Sequence, residues 1–286
     1  MIPNQKHFLT NLKRKARLAS NLAIAALASP RYRKDFDGVR TFAIFIGYPR
    51  SGGTLMGSLL DAHPNTIIAN EANVLKALRY GFNKHRLFYY LLRKSRRFTA
   101  AGRTHTGYSY LVPGGWQGRY RSLQVIGDKV ADITIQSLIR RPWLAGQLKS
   151  AIGIPVRWIH MIRDPRDNIA TMFRKSAHGR SIDETVEHYF HLAEGTAWLK
   201  RSLPPEEVLD IHIEDLTARP GDTIGKACAF LGLEHDESHI QACQRIVFSA
   251  PRRTGTGIDW PPGILQRIGE SIQGIPFLAE RYAEPV

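Results

Sequence analysis

The sequence predicts a three-layer α/β/α fold, with a central parallel sheet and helices on both of its faces. Three observations carry that prediction. Five short apolar runs, at residues 41–48, 66–69, 123–129, 156–162 and 207–213, have strand length and little of the alternation of a half-exposed strand. Helical segments separate them, the alternation that builds parallel βαβ units. Finally, Arg50, Glu71, Lys129 and Arg163 each fall at or just past the carboxyl end of such a run, where open parallel sheets hold their ligands.

Residues 1–40 read as a basic helical extension ahead of a single domain, 41–286. They carry nine Lys/Arg against two acids. The stretch "KRKARLASNLAIAALASP" has the basic-then-apolar order of a signal peptide. Its apolar part, residues 18–28, is shorter than the roughly 20 residues a membrane span needs and holds Ser20 and Asn21. A basic amphipathic helix, docked on the domain or on an anionic membrane, is expected instead.

The run at 41–48 is apolar apart from Thr41 and Gly47, as suits a strand covered on both faces. A helix over 53–62 stops before His63 and Pro64. After the strand at 66–69, residues 72–98 read as mostly helical and become very basic. Residues 99–122, rich in Gly, Tyr and Arg, form an irregular excursion in which Tyr108, Tyr110, Trp116 and Tyr120 are expected to pack. A helix over 132–150 follows, and Asp164-Pro165 opens another. Ser181 with Glu184 is a capping box for a helix reaching about residue 201. Residues 220–231 close as a helix at Gly232.

Composition narrows the function. With 286 residues, 43% hydrophobic and 23% charged, the chain has ample material for a core. Cys228 and Cys243 both sit in helical segments, which excludes a disulfide framework or a cysteine zinc site and makes a reducing compartment the expectation. The expected location is therefore the cytoplasm, with peripheral contact to the inner face of a membrane through residues 1–40. The net charge of +15 resides in two segments: +7 over residues 1–40 and +9 over 83–122, a stretch without a single acid. Such localisation points to an anionic or membrane-associated partner, such as an acidic glycan, a lipid headgroup or an acidic peptide. The insertion at 83–122 is expected to be the acceptor side.

The sharpest motif is "IFIGYPRSGGTL" at 44–55. Gly47, Gly52 and Thr54 fit the spacing of a G-x-x-x-x-G-K-[ST] phosphate loop, but Gly53 stands at the lysine position. The backbone N–H cradle and the helix dipole remain. Arg50 supplies a fixed charge, and Ser51 and Thr54 supply hydroxyls. Without the lysine, the loop is poorly equipped for Mg-ATP chemistry.

"YPRSGGTL" resembles the 5′-phosphosulfate loop of sulfotransferases that use 3′-phosphoadenosine 5′-phosphosulfate. "IHMIRDPRDNIATMFR" resembles their 3′-phosphate segment, with Arg163 as its arginine and Thr171 where serine is more frequent. "IHIEDLTARPGDTIGKACAFLGL" is similar to their later strand, turn and helix. "PRSGGTLMGSLLDAHPN" resembles in particular the tyrosylprotein and related bacterial sulfotransferases. The resemblance implies a P-loop-like sulfotransferase fold and the phosphosulfate nucleotide as co-substrate. No metal is expected, because the leaving group is a stable phosphate. It also implies a glutamate base 21 residues after the loop arginine, which is Glu71, and an active-site lysine in "GDK", which is Lys129. Arg50, Ser51, Gly52, Gly53, Thr54, Arg163 and Thr171 would bind the nucleotide. Arg252 and Arg253 in "APRRTGTG" would close the 3′-phosphate pocket. Gly53 departs from the family's usual threonine.

Rival readings are a P-loop kinase, which the missing lysine opposes, and a non-catalytic module on an anionic surface. Nucleic acid as partner would leave Glu71 and Lys129 idle. His105 competes with Glu71 as a base, since some sulfotransferases use histidine. His188 and His191 with Glu184 and Glu187 have metal-binding composition but the wrong order for a zinc helix.

Overall fold

The structure, a computed structural model, describes residues 4–176, 179–250 and 252–283, with side chains from residue 16 onward. Helix α1 (Asn4–Ala28) and the short α2 (Arg33–Asp37) precede strand β1 (Thr41–Ile46). Then come α3 (Gly53–Asp61), β2 (Thr66–Asn70), α4 (Val74–Arg79) and α5 (Lys84–Ala100). A two-stranded hairpin, β3 (Thr104–His105) and β4 (Tyr108–Ser109), opens the excursion that returns as β5 (Val125–Lys129). Helices α6 (Ala131–Arg140) and α7 (Leu144–Ile152) lead to β6 (Val156–Ile162), α8 (Pro165–Arg174) and α9 (Ile182–Arg201). Strand β7 (Val208–His212) and helices α10 (Ile213–Ala218), α11 (Pro220–Phe230), α12 (Glu237–Gln244), α13 (Ile264–Gln273) and α14 (Pro276–Tyr282) complete the chain.

The main sheet is wholly parallel, in the order β2-β5-β1-β6-β7. Strand β1 is central and buried throughout, because successive side chains enter opposite cores. Phe42, Ile44 and Ile46 pack with Trp158 and Ile162 on one face, and Ala43 and Phe45 with Ile159 and Met161 on the other. This double burial is why the run carries no polar alternation. Each such side chain contributes about 1.5–3 kcal/mol on leaving water.

Two expected helices are each divided. Gly81, at φ 84°, separates α4 from α5, and Asn73 and Asn83 accept from the N–H groups of Lys76 and Arg86 as N-caps. Pro142 lies between α6 and α7, where its missing N–H forbids continuation. The predicted capping box forms, with Glu184 N–H donating to Ser181 Oγ and Ser181 N–H to Glu184 Oε2. Helix α1 docks on α5, burying Leu18 and Ala25 and accepting at Asn21 Oδ1 from Arg93 at 2.8 Å. Among the described residues, no helix is long and apolar enough to cross a membrane.

A carboxylate fastens the excursion to this frame. Asp61, the last residue of α3, is fully buried. Its Oδ2 accepts from Arg103 Nη1 at 2.6 Å, Ser95 Oγ at 2.7 Å and Gly118 N–H at 3.2 Å, and its Oδ1 from Ile68 N–H at 2.6 Å. Arg103 is buried too, donating also to Thr99 and Ser58 and lying 4.7 Å from the Phe98 ring. Breaking such a pair strands a buried charge at a cost of about 3–5 kcal/mol. Arg103→Met should therefore lower unfolding stability by about that amount, and denaturant titration of the variant reads it directly.

Candidate functional site

The carboxyl edge of the sheet gathers the predicted residues in a row. Strand order puts the ends of β2, β5, β1 and β6 side by side, so Glu71, Lys129, Arg50 and Arg163 follow one another along the edge. Three strand spacings separate the outer two, roughly 14 Å. Asn70 pairs with Lys129 in the register of β2 and β5, which brings Glu71 next to that lysine.

The loop after β1 opens its amides toward this edge. Gly47 (φ 117°) turns the chain out of the strand, and Gly52 (φ 96°) sets it into α3 with no side-chain cap. The first-turn N–H groups of α3, at Gly53, Thr54 and Leu55, consequently have no intrahelical acceptor. A side chain at Gly52 would also strike Ile213 Cδ1 at 2.6 Å. Ser51 is buried and donates to Tyr48 O at 3.0 Å, which holds the turn.

The stem of Lys129 crosses the first turns of α3. A Cβ at Gly57 would crowd its Cβ and Cγ at 3.2 Å, while one at Gly53 would meet its Cδ at an ordinary contact of 3.4 Å. The two glycines, four residues apart on one helix face, form a groove for that stem. Lys129 is thus buried, rather than paired at the surface with Asp128 or Asp132, and its Nζ donates to Glu71 Oε1 at 3.2 Å. The lysine beside this loop comes from the neighbouring strand, β5, with its ammonium on Glu71.

Glu71 sits on a held turn. Asp128, buried beside Lys129, accepts from Ala72 N–H at 3.0 Å and Val74 N–H at 2.8 Å, and the Tyr90 hydroxyl donates to Ala72 O at 2.9 Å. Burial pushes the Asp128 carboxyl up to about 6 against those two amides and the charges of Lys94 and Lys129. For Glu71 the balance is reversed. Burial raises its carboxyl, but Lys129, then His105, and Lys94 together carry it below the usual carboxylate range. The carboxyl stays below that range despite its burial because Lys129 and, beside it, His105 face the same oxygen.

His105 is the second of those partners. The hairpin β3–β4 places its Nε2 3.6 Å from Glu71 Oε1. Burial lowers the imidazole most; Glu71 raises it, Lys129 and Arg50 lower it, and the net direction is down.

At the opposite end of the row, Arg163 and Thr171 meet as expected, Nη1 donating to Oγ1 at 3.0 Å. Nη1 also donates to Arg50 O at 3.4 Å, linking this end to the loop, and Asn168 Nδ2 donates to Pro49 O at 2.8 Å. Asp164 caps α8 by accepting from Arg166 N–H. The C-terminal loop does arrive here: Arg163 Nη2 donates to Arg252 O at 2.5 Å and to Thr254 Oγ1 at 3.0 Å. Thr254, which sequence reasoning missed, stands 2.9 Å from Thr171 Oγ1. Its only signal was its place in "RRTGTG". The Arg252 guanidinium lies between the rings of Tyr108 and Phe248, at 5.1 and 5.2 Å, and donates to the Tyr108 hydroxyl at 2.5 Å. Arg253 is exposed.

Backbone strain marks the same place. Among the described residues, the non-glycine positions with positive φ are Arg50 (70°), Glu71 (53°), Asn73 (62°), Arg103 (51°) and Thr106 (52°). All belong to the loops collected at this edge or to the hairpin that reaches it. Such conformations cost of order 1–3 kcal/mol each and persist where the surroundings over-determine them.

Comparison with known proteins agrees with this geometry. Residues 156–237 match the profile of the sulfotransferase family. No curated protein matches the sequence as a relative. Among solved structures, sulfotransferase STF9 from Mycobacterium avium is 9% identical, with 91% of this chain and 83% of that one covered at a TM-score of 0.51. The sulfotransferase domain from the curacin biosynthetic pathway is 12% identical, with 87% and 99% covered at 0.51. Sulfotransferase STF1 from Mycobacterium tuberculosis H37Rv is 11% identical, with 87% and 81% covered at 0.50. The chain has the sulfotransferase fold and, from β6 to the start of α12, the sequence signature of the sulfotransferase family.

Proposed function

We propose that this protein moves a sulfuryl group from 3′-phosphoadenosine 5′-phosphosulfate to a hydroxyl acceptor. The observation that carries the reading is the row of side chains along the sheet edge. A carboxylate, an ammonium, a guanidinium beside an amide cradle, and a guanidinium–hydroxyl cluster stand in the order the transfer needs. The Arg163–Thr171–Thr254 cluster suits a 3′-phosphate, which distinguishes this nucleotide from ATP. The amides of Gly53, Thr54 and Leu55 suit the 5′-phosphate.

Arg50 and Lys129 flank the place where negative charge shifts from acceptor to leaving phosphate, and fixed cations there favour the transition state over the ground state. Glu71 stands on the acceptor side and draws the acceptor's proton. While Lys129 is bound to Glu71 the carboxylate is a weak base; transfer of the ammonium's attention to an incoming sulfuryl oxygen would raise its basicity. The acceptor is an anionic or membrane-associated glycan, glycolipid or tyrosine peptide, in keeping with the basic residues of α5 beside Glu71, and peripheral membrane contact through residues 1–40 follows from the same charge.

Titration calorimetry with adenosine 3′,5′-bisphosphate should show binding that does not need Mg²⁺ and that Arg163→Ala weakens about 10- to 100-fold. A preference for Mg-ATP would overturn the reading. Gly57→Val should displace the Lys129 stem and cut turnover by about 100-fold, the order expected for an ångström of misplacement, with bisphosphate affinity nearly unchanged. Steady-state kinetics beside calorimetry separate the two effects.

A further inference from the structure

We propose that Lys94 and Arg97 of α5, together with Arg17 of α1, form a subsite for an oxyanion that the acceptor carries beside the hydroxyl to be sulfated. The oxyanion is a phosphate, sulfate or carboxylate. This rests on the sulfuryl-transfer reading and adds the residues that select its acceptor.

Helix α5 carries its later cations on two faces, and the fold uses the two differently. Tyr89, Arg93 and Arg96 are spaced four and three residues apart and share one face. Arg93 donates to Asn21 Oδ1 of α1 at 2.8 Å. Arg96 donates to the Tyr32 hydroxyl at 3.0 Å and to Gly118 O at 3.3 Å, and the Tyr32 ring lies 5.5 Å from that of Tyr89. These two cations are structural: they hold α1, the turn after it and the returning excursion against α5.

Tyr90, Lys94 and Arg97 repeat the spacing on the adjacent face. Tyr90 donates to the carbonyl of Ala72, the residue after Glu71, at 2.9 Å, which sets this face against the Glu71 turn. A third cation comes from α1. Arg17 lies one turn before Asn21, and its charge acts on both Tyr90 and Lys94. Among the described residues, the cationic groups of Arg17, Lys94 and Arg97 make no ion pair and no hydrogen bond, although Lys94 is half-buried.

The charge balance identifies the missing partner. Burial lowers the Lys94 ammonium most; Asp128 and Glu71 raise it, Arg17 and Arg97 lower it, and the net direction is down. Neither carboxylate is free to neutralise the cluster. Both oxygens of Asp128 hold the amides of Ala72 and Val74, and Glu71 Oε1 holds Lys129 with His105 beside it. A half-buried ammonium among like charges is unfavourable on its own, and next to a reactive carboxylate it marks a place where a ligand brings the anion. Arginine forks grip an oxyanion through paired donors, and a lysine adds a point charge. An acceptor held there presents its hydroxyl to Glu71 from a second fixed point, whereas one lacking the oxyanion leaves Lys94 unpaired. The bond from Arg93 to Asn21 thereby makes α1 a wall of the acceptor site.

The test uses the full chain saturated with adenosine 3′,5′-bisphosphate, so that the phosphate sites of the nucleotide are filled. Two probes carry a hydroxyl beside a phosphate: sn-glycerol 3-phosphate, titrated by calorimetry, and phosphatidylglycerol vesicles, followed by co-sedimentation. Glycerol and phosphatidylcholine vesicles are the respective controls. Lys94→Gln and Arg17→Gln should each weaken probe binding about 10-fold or more, the size of a lost charged hydrogen bond, while Arg96→Gln leaves it unchanged. Lys94→Gln should also unfold at a denaturant concentration no lower than wild type, since it removes an unpaired cation; a structural lysine would lower it. Binding of the soluble phosphate supports a free anionic acceptor, and binding of the vesicles alone, lost in the same variants, supports a lipid headgroup. Binding of neither probe, or binding indifferent to Lys94→Gln and Arg17→Gln, would overturn the subsite and leave the transferase reading intact. Failure of the wild-type protein to bind the bisphosphate would instead sink that reading, and the subsite's role with it.

Discussion

The buried carboxylate of Asp61 is the interaction on which the site depends. It terminates the helix that begins at the phosphate loop, and its two oxygens collect donors from β2, α5, the hairpin and the returning excursion. Four segments share one anion, and the strand, the helix and the hairpin among them lead to the edge of the sheet. Strand β2 carries Glu71, the hairpin carries His105, and α3 carries the amides and the groove for Lys129. A charge in this position is costly to bury alone and is tolerated because every partner is present together. The same requirement makes the arrangement all-or-none, so the loops that carry Glu71 and His105 cannot drift independently of the loop after β1.

Local physics made the frame readable. Strands buried on both faces declare themselves as unbroken apolar runs, and the loop at 47–54 declares itself by glycines whose left-handed φ angles no other residue adopts cheaply. The capping box of α9 is read from two residues three apart. What stayed hidden involves distance in sequence. Nothing near Gly53 or Gly57 says that a lysine stem from residue 129 lies across them. Nothing near Thr254 says that it meets Thr171, 83 residues earlier. Residues 72–98 and 132–150 each divide into a pair of helices at Gly81 and Pro142, local breakers set inside otherwise helical periodicity.

The electrostatics of Glu71 were the least readable feature. Burial and charge act in opposite directions on one carboxyl, and the outcome depends on distances of 3.2 and 3.6 Å to groups 58 and 34 residues away. Sequence supplies the identity of such groups but not their separations, and the sign of the shift is set by the separations. Strain is legible only in three dimensions for the same reason: arginine, glutamate and threonine at positive φ are unremarkable as letters.

The linear arrangement along the sheet edge has a consequence for how such a protein can change. The groups suited to the nucleotide and those suited to the acceptor lie at opposite ends of the row, roughly 14 Å apart, and come from separate stretches of chain. Substitutions at that separation combine nearly additively. The exposed positions of α5 can therefore be varied without touching Arg163, Thr171 and Thr254, whereas Ser95, Arg103 and Tyr108 are tied to Asp61 and Arg252 and stay fixed. One end behaves as a fixed socket and the other as an exchangeable fitting, joined through a shared floor of parallel strands.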